Sequence, residues 1–273
     1  MYSFLRTPKW IVSHVLIVGL IVAMINLMFW QIRRLDEKKT LNALIAARAD
    51  VEPGQLADVL RQHGITSTAD GEEAEYRSAV VSGVYEPDQE FTVPSKTLNG
   101  APGRLLVTPL RWSDTEPPIL VLRGFIPQAI DDDRAPIDSV EPPTGTVEVR
   151  GWLRETQEPE GIQSTKAQLD RDSFARIDIR RIETARKQTY EPVYLQLGAQ
   201  APAPTNDLLS YYPLPERSEG PHFSYAVQWG VFTLIAIVGY PLVIRRVARG
   251  GSKDRRDDVP TDDLDPEPEP AVP

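Results

Sequence analysis

The chain has 273 residues, a formal net charge of −9 and no cysteine, so it forms neither disulfides nor sites built on cysteine thiolates. Its basic residues flank two apolar segments instead of alternating with aromatic residues along one surface, a distribution that excludes nucleic acid as a partner. Because the apolar residues are concentrated near the two ends of the chain, the composition predicts an integral membrane protein.

The first apolar segment covers residues 11–30 and contains Ser13, His14 and Asn26 as its only polar members. As a helix, its 20 residues extend about 30 Å, which matches the hydrocarbon thickness of a lipid bilayer. A secretory signal peptide is the alternative interpretation of such a segment. The length of the segment, its end at Trp30 and the lack of a small-residue cleavage site favour a transmembrane helix.

The second apolar segment covers residues 225–244, with Trp229 near its start and a basic cluster beginning at Arg245 after its end. Aromatic residues favour the membrane interface, and basic clusters favour the cytoplasm. The segment therefore predicts a transmembrane helix with a cytoplasmic C-terminal end, and two spans place the N-terminus on the same side. Because that N-terminus lacks the composition of a transit peptide, we expect a bacterial plasma membrane.

Four basic residues conflict with this orientation because they follow the first span and would lie outside: Arg33, Arg34, Lys38 and Lys39. A middle segment of roughly 190 residues is translocated largely regardless of its charge, so the orientation stands. The predicted organisation is a cytoplasmic N-terminus at 1–10, spans at 11–30 and 225–244, an extracytoplasmic domain at 31–224, and a cytoplasmic segment at 245–273. This last segment has a basic flank and an acidic, proline-rich tail that we expect to be disordered.

Strand patterns dominate the middle domain, since segments rich in β-branched and aromatic residues are separated by proline, glycine, aspartate or asparagine. They predict strands at residues 76–85, 91–93, 104–112, 119–125, 146–154 and 193–197. Helical patterns cover 31–47, 53–63 and 173–187, the last with a strand as an alternative at its start. The predicted fold class is a two-span α-helical membrane hairpin with a mostly β (α+β) extracytoplasmic domain, an antiparallel sheet or small barrel with short helices.

The three histidines are candidate metal-ligating residues. His63 lies in a polar segment and is expected at the surface. His14 is near the cytoplasmic end of the first span, and His222 stands just before the second span, at the outer surface. The two are on the order of 30 Å apart across a bilayer, which argues against a two-histidine site within one chain.

The start of the second span has a face of small and aromatic residues. On a helix, His222 shares this face with Ala226, Trp229 and Thr233, and Gly230 lies beside it. Small residues allow close approach of another helix or of a flat ligand, and imidazole is a common ligand of haem iron. The residues leave two interpretations open: an interfacial histidine beside a packing face, or an axial haem ligand.

The first span has a comparable stripe of Gly19, Ala23 and Asn26. In an antiparallel pair Asn26 lies at the depth of Gln228, about one turn inside the outer surface, where the two side chains can hydrogen-bond across the helices. The predicted helix-packing residues are Asn26, Gln228, Gly19, Ala23, Ala226 and Gly230.

The middle domain carries no nucleophile motif, no phosphate-binding glycine loop and no spacing of metal ligands. Glycines such as Gly83 and Gly151 follow or interrupt predicted strands, which is typical of bulges and turns rather than of active sites. We therefore expect a protein that is not an enzyme.

A series of motifs runs from one span to the other. Trp30 and Gln31, followed by Arg34 and Lys38, end the first span; strand motifs stand at 81–85, 108–110, 120–127 and 192–195; His-Phe-Ser-Tyr-Ala-Val-Gln-Trp at 222–229 begins the second. In this order they resemble the Surfeit locus protein 1 family, the membrane assembly factors of cytochrome c oxidase. The departures are mild: Leu122, Phe125 and Phe223 replace the asparagine, tryptophan and leucine that are usual in the family.

The resemblance implies a role in maturing the haem–copper oxidase, by delivering or stabilising haem a during its insertion into the catalytic subunit. It also implies that His222 is the ligand of haem a, because bacterial members are thought to bind haem a through the matching histidine. Trp229 and Tyr225 are then expected to flank the ring, and the middle domain to contact the oxidase subunits.

Two other functions remain open at the level of sequence. One is a structural accessory subunit without haem, permanently attached to the oxidase or to a respiratory supercomplex. The other is an extracytoplasmic sensor or hydrolase held by two spans. The missing catalytic motifs and the lack of a cytoplasmic output domain count against the sensor and the hydrolase.

Overall fold

The apolar residues near the N-terminus belong to one long helix, α1 (Pro8–Ala49), preceded by a 3₁₀ turn at Ser3–Arg6. The computed structural model describes residues 3–128, 140–159, 168–170, 172–204 and 208–250. Because no proline follows Pro8 within α1, the apolar span and the polar helix predicted at 31–47 form a single element. The predicted acidic tail lies outside the described residues.

The remaining elements of the described residues are mostly strands. The helices are α2 (Leu56–Gln62), α3 (Gly71–Ala74), α4 (Ile179–Arg186) and α5 (His222–Gly250), with 3₁₀ turns at Thr68–Asp70 and Pro87–Gln89. The strands are β1 (Gly54–Gln55), β2 (Ser78–Tyr85), β3 (Phe91–Leu98), β4 (Ala101–Arg111), β5 (Ile119–Pro127), β6 (Thr146–Arg154), β7 (Gln168–Asp170), β8 (Ser173–Phe174) and β9 (Tyr194–Ala201).

The described residues divide into two compact units. The helix-pair unit lies within Met1–Thr40 and Ser218–Pro273, and the barrel domain lies within Leu41–Arg217. Both α1 and α5 are long and apolar enough to cross a membrane, as their sequences predict.

Five strands of the barrel domain close into a small barrel in the order β2-β6-β9-β5-β4, and β4 pairs back to β2 where Tyr85 faces Leu110. Every pair in this ring is antiparallel except β5 with β9, which is parallel. Strands β3, β8 and β7 extend the sheet beyond β4, and β1 pairs with β2. The strand patterns leave an antiparallel sheet or a small barrel open, and the structure has the small, mostly antiparallel barrel.

Apolar side chains of the barrel domain form two main clusters. The first combines barrel residues such as Val81 and Val149 with Leu56 of α2, so this short helix is held by its buried face. In the second, the rings of Phe91 and Phe174 meet edge to face with centroids 5.0 Å apart. Burying each such side chain stabilises the fold by about 1.5–3 kcal/mol relative to leaving it exposed.

Two glycines stand where strands approach too closely for a side chain. A Cβ at Gly151 would collide with the carbonyl oxygen of Gln196, next to a shift in the β6–β9 register. A Cβ at Gly83 would lie 2.5 Å from the carbonyl oxygen of Arg111, where β2 and β4 close the barrel. The expected bulge is observed at Gly151, whereas Gly83 lies within a regular strand and permits a close approach instead of a bulge or turn.

Strand β3 is longer than the predicted segment 91–93. It continues to Leu98, past an irregularity between Val93 and Lys96 that shifts its register against β4. The second half of the strand alternates between half-buried and exposed residues but contains proline, serine and lysine, so its composition does not mark it as a strand in the sequence.

The helix predicted at 173–187 begins later than expected. Ser173 and Phe174 form the short strand β8, the alternative that the sequence leaves open, and α4 starts at Ile179. The side chain of Asp178 accepts a hydrogen bond from the backbone N–H of Arg181 and so caps the helix at this point.

A buried ion pair links β5 to the segment before β3. Arg123 is only 2% exposed; its Nη1 donates to Glu90 Oε2 at 2.9 Å and its Nη2 donates to the carbonyl oxygen of Val140 at 2.8 Å. Thr108 Oγ1 donates to the same Glu90 oxygen, and the guanidinium lies 5.5 Å from the centre of the Tyr85 ring. Burial raises the pKa of Glu90 despite the bonds from Thr108 and Arg123.

We predict that Arg123→Met lowers the free energy of unfolding by about 3–5 kcal/mol, because it leaves the Glu90 carboxyl buried without its cationic partner. Denaturant unfolding of the full-length protein in detergent, followed by tryptophan fluorescence, measures the change. Arg150→Met is the matched control, since Arg150 and Glu148 form an exposed pair. We expect this control to change stability by less than about 1 kcal/mol, and equal losses in both variants would contradict the prediction.

Candidate functional site

Helices α1 and α5 pack against each other in antiparallel orientation. Contacts join Gln31 to His222 at one end of the pair and Ser13 to Tyr240 at the other. The side chains buried along the pair include Met24, Gln31 and Leu35 of α1 and Ala226 and Thr233 of α5. The two apolar helices therefore meet along one face each and leave the rest of their apolar surface exposed.

His222 is the first residue of α5, and its imidazole is hydrogen-bonded to the opposite helix. Its Nδ1 lies 2.8 Å from Oε1 of Gln31, a residue of α1 that is only 9% exposed. An amide oxygen only accepts hydrogen bonds, so this contact requires a proton on Nδ1, and in the neutral imidazole Nε2 then keeps its lone pair. Among the described residues Nε2 has no hydrogen-bond partner.

A glycine lies beside the edge of the imidazole that carries Nε2. Gly220 precedes α5 with a φ of +65°, a conformation in the left-handed region that favours glycine. A Cβ added at Gly220 would lie 3.5 Å from Nε2 and 3.4 Å from Cδ2 of His222. A side chain at position 220 would therefore touch the edge of the ring that carries Nε2.

Four predicted site residues follow His222 in the first turns of α5. Trp229 is half-buried on the His222 face, about 10 Å further along the helix, and meets Phe232 edge to face. Tyr225 is 46% exposed and Ala226 is buried in the helix pair. Gly230 faces α1, since a Cβ there would lie 3.5 Å from Sδ of Met28.

The predicted packing stripe of α1 is not the face that packs. Both Asn26 and Gln228 are described and exposed, and they form no bond with each other; Asn26 Nδ2 donates instead to the carbonyl oxygen of Val22. Gly19 and Ala23 are exposed as well, and a Cβ at Gly19 would have no neighbour within 4 Å.

The physical reason for this difference is helical geometry. Asn26 follows the buried Met24 by two residues, and Gln228 follows the buried Ala226 by two. Two residues correspond to a rotation of about 200°, which turns each amide away from the partner helix. Gln31 follows Met24 by two full turns and so occupies the inward position that the sequence-based prediction gave to Asn26.

The opposite end of the helix pair holds a second polar cluster that the sequence did not predict. The Tyr240 hydroxyl lies 2.7 Å from Nδ1 of His14 and 3.1 Å from Oγ of Ser13. The rings of His14 and Tyr240 meet edge to face at 5.7 Å, with Trp10 beside the imidazole. The sequence signal for this cluster is a histidine early in α1 and a tyrosine late in α5, which lie at equal depth in an antiparallel pair.

A known protein family matches most of this chain. The model of the SURF1 family matches residues 18–234, from within α1 to within α5, and includes both Gln31 and His222. The chain belongs to the SURF1 family. The match does not include the cluster of Ser13, His14 and Tyr240, because all three residues lie outside 18–234.

Similar proteins come from bacteria and eukaryotes. A SURF1-like protein of Monosiga brevicollis is 26% identical over 236 residues, which cover 82% of this chain and 83% of that protein. An uncharacterized SURF1-like protein of Mycobacterium tuberculosis is 24% identical over 266 residues, covering 95% of this chain and 92% of its own. Cytochrome oxidase assembly protein SHY1 of Saccharomyces cerevisiae is 32% identical over 116 residues, covering 41% of this chain and 28% of its own.

The barrel domain of this SURF1-family protein contains a cavity of about 760 Å³. Its walls include Arg61, Trp112, Arg180 and Glu191. Glu191 is only 6% exposed, and burial, with Glu116 nearby, raises the pKa of its carboxyl to about 7. No group of three or more acidic residues or histidines suited to a metal ion occurs among the described residues.

We predict that intramolecular disulfide formation will report the register of the helix pair, because the chain has no cysteine of its own. The variant Met28→Cys with Gly230→Cys should crosslink efficiently under mild oxidation, since these positions face each other. Proteolysis within the barrel domain followed by non-reducing electrophoresis measures the joined fragments. The control Asn26→Cys with Gln228→Cys has both residues exposed on other faces, and efficient crosslinking within this control would contradict the register.

We also predict that Glu191→Gln stabilises the protein at pH 8. In the folded state the pKa of Glu191 is raised to about 7 from its usual 4.5, so the folded chain binds a proton that the unfolded chain releases between these values. The wild type therefore loses stability as the pH rises through this window, while the amide does not. Because the carboxyl keeps part of its hydration, we expect a gain of about 2 kcal/mol at pH 8 and almost none at pH 4.5. Thermal unfolding midpoints at both pH values measure the difference, and equal gains at the two would contradict it.

Proposed function

We propose that this protein is an assembly factor for cytochrome c oxidase that holds haem a at His222 before insertion into the catalytic subunit. Membership of the SURF1 family and the similarity to a yeast protein named for cytochrome oxidase assembly support the assembly role. The observation that carries the haem proposal is the His222 imidazole, whose Nδ1 is occupied by Gln31 and whose Nε2 has no partner among the described residues. A neutral imidazole with one free nitrogen has the donor chemistry that haem iron requires.

The proposed setting is a bacterial plasma membrane crossed by α1 and α5, with both termini in the cytoplasm. Arg245, Arg246 and Arg249 at the end of α5 support this orientation. Arg34, which follows the first apolar segment, forms an ion pair with Glu37 at 2.6 Å, so part of the opposing basic charge is neutralised locally. In this orientation His222 lies at the outer membrane surface and the barrel domain lies outside the cytoplasm.

Within this proposal the protein binds and releases its cargo without transforming it, so it is not an enzyme. One histidine ligand holds a porphyrin less firmly than two, which suits transfer to the oxidase. Trp229 lies on the His222 face and Tyr225 one turn from the histidine, so both are placed to flank the ring. The barrel domain, which offers a broad sheet surface, is the part proposed to contact the oxidase subunits.

We predict that His222→Ala removes most of the bound haem. Full-length protein is purified in detergent from cells that make haem a, and the haem content per chain is measured by its absorption spectrum. His14→Ala is the matched control, since it removes an imidazole from the other end of the same helix pair. Wild type and His14→Ala should carry haem, whereas His222→Ala should carry at least about 10-fold less.

Equal haem content in wild type and His222→Ala would overturn the ligand proposal. Gentle purification of the oxidase separates the assembly factor from a permanent accessory subunit. An assembly factor is absent from the mature enzyme, while a stoichiometric subunit that persists and carries no haem would favour a structural role in the oxidase or in a respiratory supercomplex.

A further inference from the structure

Gln31 is an unusual residue for its position. It lies in α1 immediately after the apolar segment and is 9% exposed, and its Oε1 accepts a hydrogen bond from the imidazole of the other helix. Replacing a buried amide that is bonded to one specific imidazole nitrogen removes more than packing contacts, because that nitrogen then has no fixed hydrogen-bond partner.

A neutral imidazole carries one proton, and its location decides which nitrogen can bind a metal. With Gln31 Oε1 as acceptor at 2.8 Å, the proton belongs on Nδ1 and the lone pair on Nε2. Without this acceptor the proton is free to occupy either nitrogen, and the ring is free to rotate. Histidines that bind metals generally donate their other N–H to such an acceptor, which fixes the ring and raises the basicity of the ligating nitrogen.

The neighbouring turn agrees with this assignment of the two nitrogens. Gly220 lies beside Nε2 and Cδ2 of His222, and as a glycine with a left-handed backbone it places no Cβ against that edge of the ring. The nitrogen that the Gln31 bond leaves unprotonated is therefore on the ring edge that lies next to a residue without a side chain. The two features are separate in the chain, since one belongs to α1 and the other to the turn before α5.

We infer that Gln31 is a positioning residue for His222: its amide oxygen holds the imidazole in the Nδ1–H tautomer so that Nε2 is the atom that binds a metalloporphyrin. The consequence for haem rests on the proposed function, whereas the tautomer itself does not. Gln31 acts through His222 and makes no contact of its own with the ligand.

The tautomer is tested first in the haem-free, full-length protein. With ¹⁵N-labelled histidine, the chain gives signals from only three imidazoles, and His14→Ala and His222→Ala assign them. We expect His222 to show a protonated Nδ1 and an unprotonated Nε2 in the wild type and in Gln31→Glu, whose carboxylate is also an acceptor. In Gln31→Met, which keeps the side-chain length without an acceptor, the signals should change to those of a mixture of tautomers. An Nε2–H tautomer in the wild type, or the wild-type pattern in Gln31→Met, would overturn the inference.

The second readout is the haem-loaded protein. We expect Gln31→Met to lose haem at least about 10-fold faster than the wild type to an excess of apomyoglobin. Gln31→Glu should retain haem and lower its midpoint potential, because a carboxylate acceptor makes the imidazole a stronger donor to ferric iron. Gln228→Met is the matched control, a glutamine of the same helix pair that is exposed, and it should behave as the wild type.

The outcomes separate the two proposals. If the wild type binds no haem, the proposed function fails while the tautomer measurement still decides the role of Gln31. If His222→Ala loses haem but Gln31→Met releases it at the wild-type rate, the positioning role fails alone. Equal acceleration of haem loss in Gln31→Met and Gln31→Glu would indicate a purely structural glutamine and would also overturn the inference.

Discussion

The arrangement of the helix pair depends on two hydrogen-bonded imidazoles, one at each end. His222 of α5 is hydrogen-bonded to Gln31 of α1, and His14 of α1 is hydrogen-bonded to Tyr240 of α5. At 1.5 Å per residue, about 26 Å of α1 separates His14 from Gln31, and about 27 Å of α5 separates His222 from Tyr240. Because these lengths agree, both bonds form together only in one antiparallel register. A slip by one turn would break both bonds and leave four polar side chains, including the buried Gln31, without these partners, which is costly in an apolar setting.

The barrel domain is held by a different constraint, the closure of five strands into a ring. Closure requires the backbones of β2 and β4 to approach closely, and Gly83 is the residue that permits it. Arg123 and Glu90 form a buried ion pair in the same domain, and Thr108 donates a further hydrogen bond to the Glu90 carboxyl. Apolar burial gives this domain its stability, while the ion pair makes a particular arrangement of β5 and the segment before β3 preferable to others.

Much of the fold could be predicted because its determinants are local in the sequence. Strand β6 was predicted at its observed bounds, since alternation and flanking turn residues mark it at both ends. Strands β1 and β7, of two and three residues, exist only through their partners, and no local pattern of that length identifies a strand. The bulge in β3 likewise depends on the pairing with β4, which the sequence of β3 alone does not contain.

The candidate site was predicted in part, and the error concerns the face of α1. His222, Ala226 and Gly230 were chosen from α5 and lie where the face of that helix predicts. For α1 the sequence pattern predicts a packing stripe at the small residues Gly19 and Ala23, which holds only if both helices contribute small side chains. Close approach needs a small residue on only one of the two helices, and here Gly230 of α5 receives the side chain of Met28.

The neutrality of Gln31 fits the proposed role of a carrier. A carboxylate in its place would also fix the Nδ1–H tautomer, but it would strengthen the bond from Nε2 to iron and add a charge beside the apolar helices. A methyl or thioether group would add no charge but would leave the tautomer unset. An amide oxygen does what neither alternative does, since it orients the imidazole while leaving the ligand of moderate strength. Under the proposed function, binding that is specific in geometry and moderate in strength is what allows His222 to pass its haem to the oxidase.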